Sequence, residues 1–422
     1  MKSLLLWMAL GGLVACTTEP TECAEVTSTT VTVTADTGVP VRVRITESGG
    51  SVHDVNTPSE TVTATGPEIQ AARTRSSIEP ELVSRAYNPT LSALDACGAE
   101  LAVDYDFDPA SHRIWLTDSG GSQVFGISEM SLHASGTPAA DIVLTGFTNP
   151  SSPAFGPDGS LWIADANRIH AFRPATLAAG GVQTADVTLS GSAIEGPGVP
   201  GPRTVAFDQS GNAWVANVAG NSVSRFDVAS LRRSGEPNAS IVITGDAIDG
   251  PSAIAFDREG NIWIANADGR VVEYLAARLN ADITTAPDGE LQGQTGPSVV
   301  NDLSNPQALA FDADDNLWVA YFSFNIIARY TTAERAMNGP IRPAVQLVLP
   351  VDVLLESIAF DDAGGLWFTS AAGKVARLES AALSADGPSS ASTILTVASL
   401  GYASGIAFNP PSAGLPIAFA EF

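Results

Sequence analysis

Lysine is nearly missing from this chain. Of its 21 cationic side chains only Lys2 and Lys374 are lysines, and 46 Asp and Glu leave a formal charge of −25. A surface of that sign repels phosphate backbones, which argues against a nucleic-acid partner. Histidine is scarce too, with His53, His112, His133 and His170 the full set. No His-Glu-x-x-His, Cys-x-x-Cys, Gly-x-Ser-x-Gly or phosphate-cradling glycine loop occurs. Zincin, dithiol, nucleophile-elbow and P-loop chemistry therefore have no motif to work with. A long apolar run is also lacking, since Leu4 to Val14 is too short to span a bilayer.

That short run follows the positive Lys2 and ends in Leu13-Val-Ala-Cys16. It reads as a signal peptide over residues 1–15, and its end resembles a bacterial lipobox. Cleavage would leave Cys16 as a lipidated N-terminus, held firmly because three acyl chains anchor where one binds only marginally. The alternative is an ordinary cleaved signal with a coincidental Cys. Thr17 follows where Asp would retain a lipoprotein at the inner membrane, so in a Gram-negative cell the outer membrane is the expected address. The remaining pair, Cys23 and Cys97, is even in number in an oxidising compartment, and a disulfide is expected between them. Residues 16–100 would form a lipid-anchored arm, with 66–96 an irregular connection.

What the chain has in plenty is a repeat. Phe107, Phe155, Phe207, Phe256, Phe311, Phe360 and Phe408 recur 48 to 55 residues apart, and six of them have a Trp seven or eight residues downstream. One unit reads Ile254-Ala-Phe-Asp-Arg-Glu-Gly-Asn-Ile-Trp-Ile-Ala-Asn266, two short apolar strands around a turn that cannot bury both faces alone. In its clearest form the unit has four strands, Thr204 to Asp208, Ala213 to Asn217, Ser222 to Phe226 and Ser240 to Thr244. A small residue precedes nearly every Phe: Ala154, Ala206, Ala255, Ala310, Ala359 and Ala407. Because successive strand residues face opposite sides, each inner strand shows a small side chain to one neighbour and a Phe to the other, which suits a crowded hub. The six repeat tryptophans are expected in the core between blades.

Counting Phe-bearing strands predicts an all-β, seven-bladed β-propeller over residues 101–422. Its last blade, with only Gly405 to Asn409 and Leu415 to Ala420, would be completed by N-terminal strands Thr30 to Ala35, Val39 to Thr46 and Glu60 to Thr65, because an unpaired edge is a liability. Six blades plus a C-terminal hairpin is the alternative.

The Phe-Asp-x-x-Gly-Asn-Ile-Trp-Ile-Ala-Asn unit resembles NHL-repeat propellers, and still more the repeat of virginiamycin B lyase-like proteins, over about residues 101 to 422. That resemblance implies a seven-bladed propeller and an eliminase using Mg²⁺ with a His and Glu cluster, its second strands often ending in Trp-Phe-Thr-Glu. Here those strands end in Asp118, Asp165, Asn217, Asn266, Tyr321 and Ser370, and no His/Glu/His group carries over.

The expected function is accordingly a monomeric binding or interaction scaffold, with an envelope protein, small molecule or carbohydrate as partner and the membrane met through the anchor. Its candidate contacts are Tyr321, Phe322 and Phe324, on a turn of the variable rim beside the long connections 192–202 and 294–305, together with Asp118, Asp165, Asn217 and Asn266. The alternative is a lyase or lactonase-type enzyme with a divalent cation, Ca²⁺ or Mg²⁺, held by carboxylates such as Asp118 and Asp165. A purely structural envelope component is the third class. Asp104 and Asp106 are weak metal candidates, since Asp106 stands where the repeat expects a small hub residue and a buried carboxylate needs a partner. Asp312-Ala-Asp-Asp-Asn316 starts like a calcium loop but lacks its Gly and Glu, and reads as an acidic turn.

Overall fold

The structure is a computed structural model. It describes residues 113–408 except 129–131, 133–134, 180, 195–200, 293–302, 351–352 and 362–363, and the backbone of short strands before residue 112. Cys16, Cys23, Cys97 and the 66–96 connection, apart from the strand backbones at its ends, lie outside the described residues, as does the second half of the expected C-terminal hairpin.

The chain divides into two units at residue 112. In the N-terminal unit, the Thr/Val-rich strand Ser28–Thr34 pairs along its length with Ser59–Thr65 and with Trp7–Ala9. Val41–Glu47 pairs with Val52–Asn56, Ile69–Ala72 and Asp104–Phe107.

The second unit is a β-propeller of six antiparallel blades. Blade 1 runs from hub to rim as Ala403–Asn409, Arg113–Asp118, Gln123–Ser128 and Ile142–Thr145. Blades 2 to 6 start at the inner strands Pro150–Phe155, Pro202–Phe207, Pro251–Phe256, Pro306–Phe311 and Leu355–Phe360, each followed by three more strands. The expected seven blades therefore become six. Ala407 is in register with Trp115, so Phe408 and Trp115 belong to one blade, whereas Phe107 lies in a strand paired with Val41–Glu47. The N-terminal strands form, but they pair with one another. It is the C-terminal strand that completes the first blade.

Two devices of the repeat explain why the ring holds. The Asp after the Phe accepts a hydrogen bond from the indole Nε1 of its own blade's Trp, at 2.8–2.9 Å for Asp208–Trp214, Asp257–Trp263, Asp312–Trp318 and Asp361–Trp367. The tryptophans are buried, and most meet the next blade's Phe edge-on, as Trp214 does Phe256 at 6.0 Å. Blades thus share cores: Trp318 and Ala320 of blade 5 pack with Ile358, Phe360 and Phe368 of blade 6. The second device is the loop between strands three and four. Around the ring it reaches back and pairs in parallel with the outer strand of the preceding blade, through Gly136 on Leu395, Gly181 on Leu144, Gly235 on Leu189, Ile283 on Ile243, Gly339 on Leu291 and Gly387 on Leu347. Each outer edge, a template for unwanted pairing, is thereby covered.

Between blades 4 and 5 the pattern changes. Arg335, 5 % exposed at the end of the short helix Thr332–Arg335, inserts between Trp263 and Phe311, its guanidinium carbon 5.2 and 5.0 Å from the ring centres. It pairs with Asp257 at 3.3 Å and Asp315 at 2.6 Å. Asp315 sits at φ 61°, where the equivalent turn of blade 4 has Gly260 at φ 81°. A non-glycine residue is strained there, and its ion pair with Arg335 explains its presence. The acidic turn is a turn, as expected.

Candidate binding site at the propeller hub

Inner strands begin at one face of the ring and run to the other. Where they begin, each has a polar residue four positions before its Phe: Ser151, Arg203, Ser252, Gln307, Glu356 and Ser404. Three of them, with Thr204, tie neighbouring blades together. Ser404 donates to the Pro150 carbonyl at 2.7 Å, Ser151 to that of Arg203 at 2.9 Å, Thr204 to that of Ser252 at 2.7 Å, and Ser252 to that of Pro306 at 2.6 Å. These bonds form a hydroxyl-to-carbonyl belt running from blade 1 to blade 5.

Arg203, Gln307 and Glu356 break the belt. Arg203 of blade 3 reaches across the channel to Glu356 of blade 6, Nη2 to Oε2 at 2.9 Å. The other carboxylate oxygen accepts from the Tyr402 hydroxyl, which leads into blade 1's inner strand. The Glu356 side chain is 2 % exposed and that of Arg203 33 %. Burial pushes the Glu356 carboxyl above its usual range, against the pull of Arg203's charge and the two hydrogen bonds. Burial and the bond to Glu356 likewise raise the Tyr402 phenol. Gln307 donates to Asn305 at 2.9 Å, while its Oε1 is buried without a protein partner. Beneath this polar mouth the channel encloses about 230 Å³ and is walled by the small residues before each Phe.

The candidate residues read from the repeat fall elsewhere. Asp118 is buried and accepts the amides of Gly121, Gly401 and Tyr402. Asp165 accepts those of Thr148 and Asn149, and His170 Nε2 lies 3.5 Å away. Burial works against its ionisation, but His170 and the two amides hold its carboxyl below the usual range. Asn217 donates to the Ala193 carbonyl, and Asn266 accepts from the Asp249 amide. All four pin the connection that enters their own blade. Such a duty fits residues at second-strand ends, and it occupies the carboxylates of Asp118 and Asp165 that the alternative, enzymatic reading assigned to a cation.

Tyr321 corrects the expected aromatic turn. It is 1 % exposed and its hydroxyl lies 3.1 Å from that of Tyr330. Its strand position faces it into the core, and burial raises its phenol well above the ordinary value. Phe322 is half-buried, and Phe324 is 36 % exposed on the single 3₁₀ turn Phe322–Phe324. Asp104 and Asp106 lie on the strand paired with Val41–Glu47 and not on a hub strand, and their side chains are outside the described residues. Among the described residues no three His, Cys, Asp or Glu side chains are grouped to hold a metal.

The hub residues Arg203, Glu356 and Tyr402 were not singled out from the repeat. The signal was present in the column four residues before each Phe, where two opposite charges replace serine.

No known family profile matches the chain, nor does any curated protein. Solved structures do. Virginiamycin B lyase from Staphylococcus aureus is 17 % identical, with 71 % of this chain and 84 % of that one covered and a TM-score of 0.41. A protein of unknown function from Bacteroides caccae is 15 % identical, covering 67 % and 98 % with a TM-score of 0.43. The protein U3-55K is 13 % identical, covering 70 % and 81 % with a TM-score of 0.45. The structural neighbours thus include virginiamycin B lyase, and the likeness is one of architecture. The propeller itself is established by the strand pairing.

Proposed function

We propose that this protein is a lipid-anchored envelope β-propeller that binds a partner rather than transforming it. The docking face is the rim on which inner strands begin. Supporting this is the exposure there of Phe324 and, at 40 %, of Leu354, next to the inner strand Leu355–Phe360 against which the Phe322–Phe324 turn packs. Apolar side chains without a core duty, carried on turns of a rigid ring, are where recognition concentrates. The anchor is Cys16, and the outer membrane is its proposed site.

Pull-downs from the native envelope test the face. Phe322→Ser with Phe324→Ser should lose the partners that wild type recovers, with the melting curve unchanged, while changes at the exposed Arg232 and Arg233 between strands three and four should keep them. Recovery of the same partners by the Phe variant rules out this face. Fatty-acid labelling of cells should mark wild type but not Cys16→Ala.

A further inference from the structure

Blade 2 carries a polar set that the ring does not need. His170 stands opposite Thr188 where the third strand pairs with the fourth, and its Nδ1 lies 3.0 Å from the Thr188 hydroxyl. On the other side of the imidazole, Nε2 lies 3.5 Å from Asp165 Oδ2. In the position of His170 the other blades have Phe125, Ser224, Val272, Ala328 and Ala376. Blade construction therefore does not call for an imidazole there. Nor does the pinning of the entering connection, which Asp118 performs through three backbone amides and Asn217 and Asn266 perform with uncharged side chains.

The partners fix the state of the imidazole. A carboxylate only accepts hydrogen bonds, so Nε2, which faces Asp165, carries the proton of the neutral ring. Nδ1 is then the bare nitrogen, and the Thr188 hydroxyl donates to it. Two backbone amides hold Asp165 in place, and the Phe147 ring meets the imidazole edge-on at 6.2 Å. Asp165 is buried, whereas His170 and Thr188 are both part-exposed. A hydroxyl aimed at a bare imidazole nitrogen whose other nitrogen is held by a fixed carboxylate is the arrangement that activates a nucleophile.

We propose that Thr188 is an acyl-acceptor site, with His170 as its general base and Asp165 positioning His170. The donor is an activated acyl ester. Thr188 Oγ1 attacks the ester carbonyl carbon while His170 Nδ1 takes the hydroxyl proton; the bond to the leaving alcohol breaks, that alcohol receives the proton from His170, and the acyl group stays on Thr188 as an ester. The acceptor is the chain's own side chain, so a partner docked on the rim is not transformed, and the docking face stands or falls separately.

Treating the full-length protein with p-nitrophenyl acetate tests the proposal. Nitrophenolate should appear in a burst of about one equivalent per chain, and peptide mapping should place the acetyl group on Thr188. Thr188→Val should lose the burst with the melting curve unchanged. If that variant does not fold, Thr188→Ser, which keeps the hydroxyl, should retain both burst and label. His170→Gln should slow labelling roughly a hundredfold, the lower end of what a general base supplies. Asp165→Asn, an exchange that Asn217 and Asn266 show the fold accepts, lets the imidazole carry its proton on Nδ1 and should slow it as well. Acid should slow labelling of the wild type, as the imidazole takes up a proton. The proposal is overturned if the acetyl group settles elsewhere, if Thr188→Val keeps the burst, or if His170→Gln is labelled as fast as wild type.

Discussion

Ala407 lies directly opposite Trp115 in the sheet of blade 1. The last strand among the described residues is thus the innermost strand of the first blade, where it touches the inner strands of blades 2 and 6 as well. On the rim the same joint is closed a second time, by Gly136 of blade 1 pairing with Leu395 of blade 6. At the hub joint, Ile406 and Phe408 pack into the core shared with Trp367 and Val375.

Deleting residues 402–422 should accordingly cost the ring its cooperativity. The truncation removes Tyr402 from Glu356 and leaves Trp115 and Leu116 without their hub-side cover. Propeller blades cannot bury both faces alone, so calorimetry should show a broadened transition or one shifted far down. A truncated protein with an unchanged melting curve would contradict closure by this strand.

The sequence carried most of this architecture, because the repeat is written in the residues that build it. Phe, Ala and Trp at fixed offsets placed the inner and second strands, and the six tryptophans are buried as their phase requires. The blade count was harder to read. Phe107 stands eight residues before Trp115 and imitates a hub strand, whereas the Phe that shares Trp115's blade is Phe408, at the far end of the chain. Pairing partners so distant in sequence leave no local signal. The number of repeat tryptophans, six of the chain's seven, was the better guide to the number of blades. Aromatic character likewise misled at Tyr321, because a strand end and an exposed turn differ by one residue there. The hub pair was hidden for another reason: Arg203 and Glu356 meet only once blades 3 and 6 face each other across a closed ring.

Arg335 makes a sharp test of the joint between blades 4 and 5. It is buried against Trp263 and Phe311 with Asp257 and Asp315 as its partners. Arg335→Ala removes the cation and leaves two buried carboxylates, for which a loss of about 3–5 kcal/mol is expected. Arg335→Met with Asp315→Gly restores apolar packing and a glycine turn of the kind seen at Gly260, and should recover much of that loss. Denaturant melts of the two variants separate the readings. If Arg335→Ala costs less than about 1 kcal/mol, the cluster does not hold the joint.

Glu273 gives that joint a pH dependence. It lies across from Trp263, where Arg225, Arg329 and Arg377 stand against the tryptophans of blades 3, 5 and 6. Burial, with Asp257, Asp288 and Glu259 adding like charge against the opposing pull of Arg335, raises its carboxyl from 4.5 to about 7. A group whose pKa rises on folding favours the folded state while it is protonated. Its contribution is therefore complete below the ordinary value of 4.5 and is lost as pH climbs through about 7. Glu273→Gln keeps the shape without titrating. Its melting temperature should match wild type below pH 4.5 and exceed it above pH 7, with the gap opening between those values. Other carboxylates cancel in the comparison, because both proteins have them. A difference that stays constant over the whole range would mean that Glu273 ionises as freely in the folded protein as in the unfolded chain.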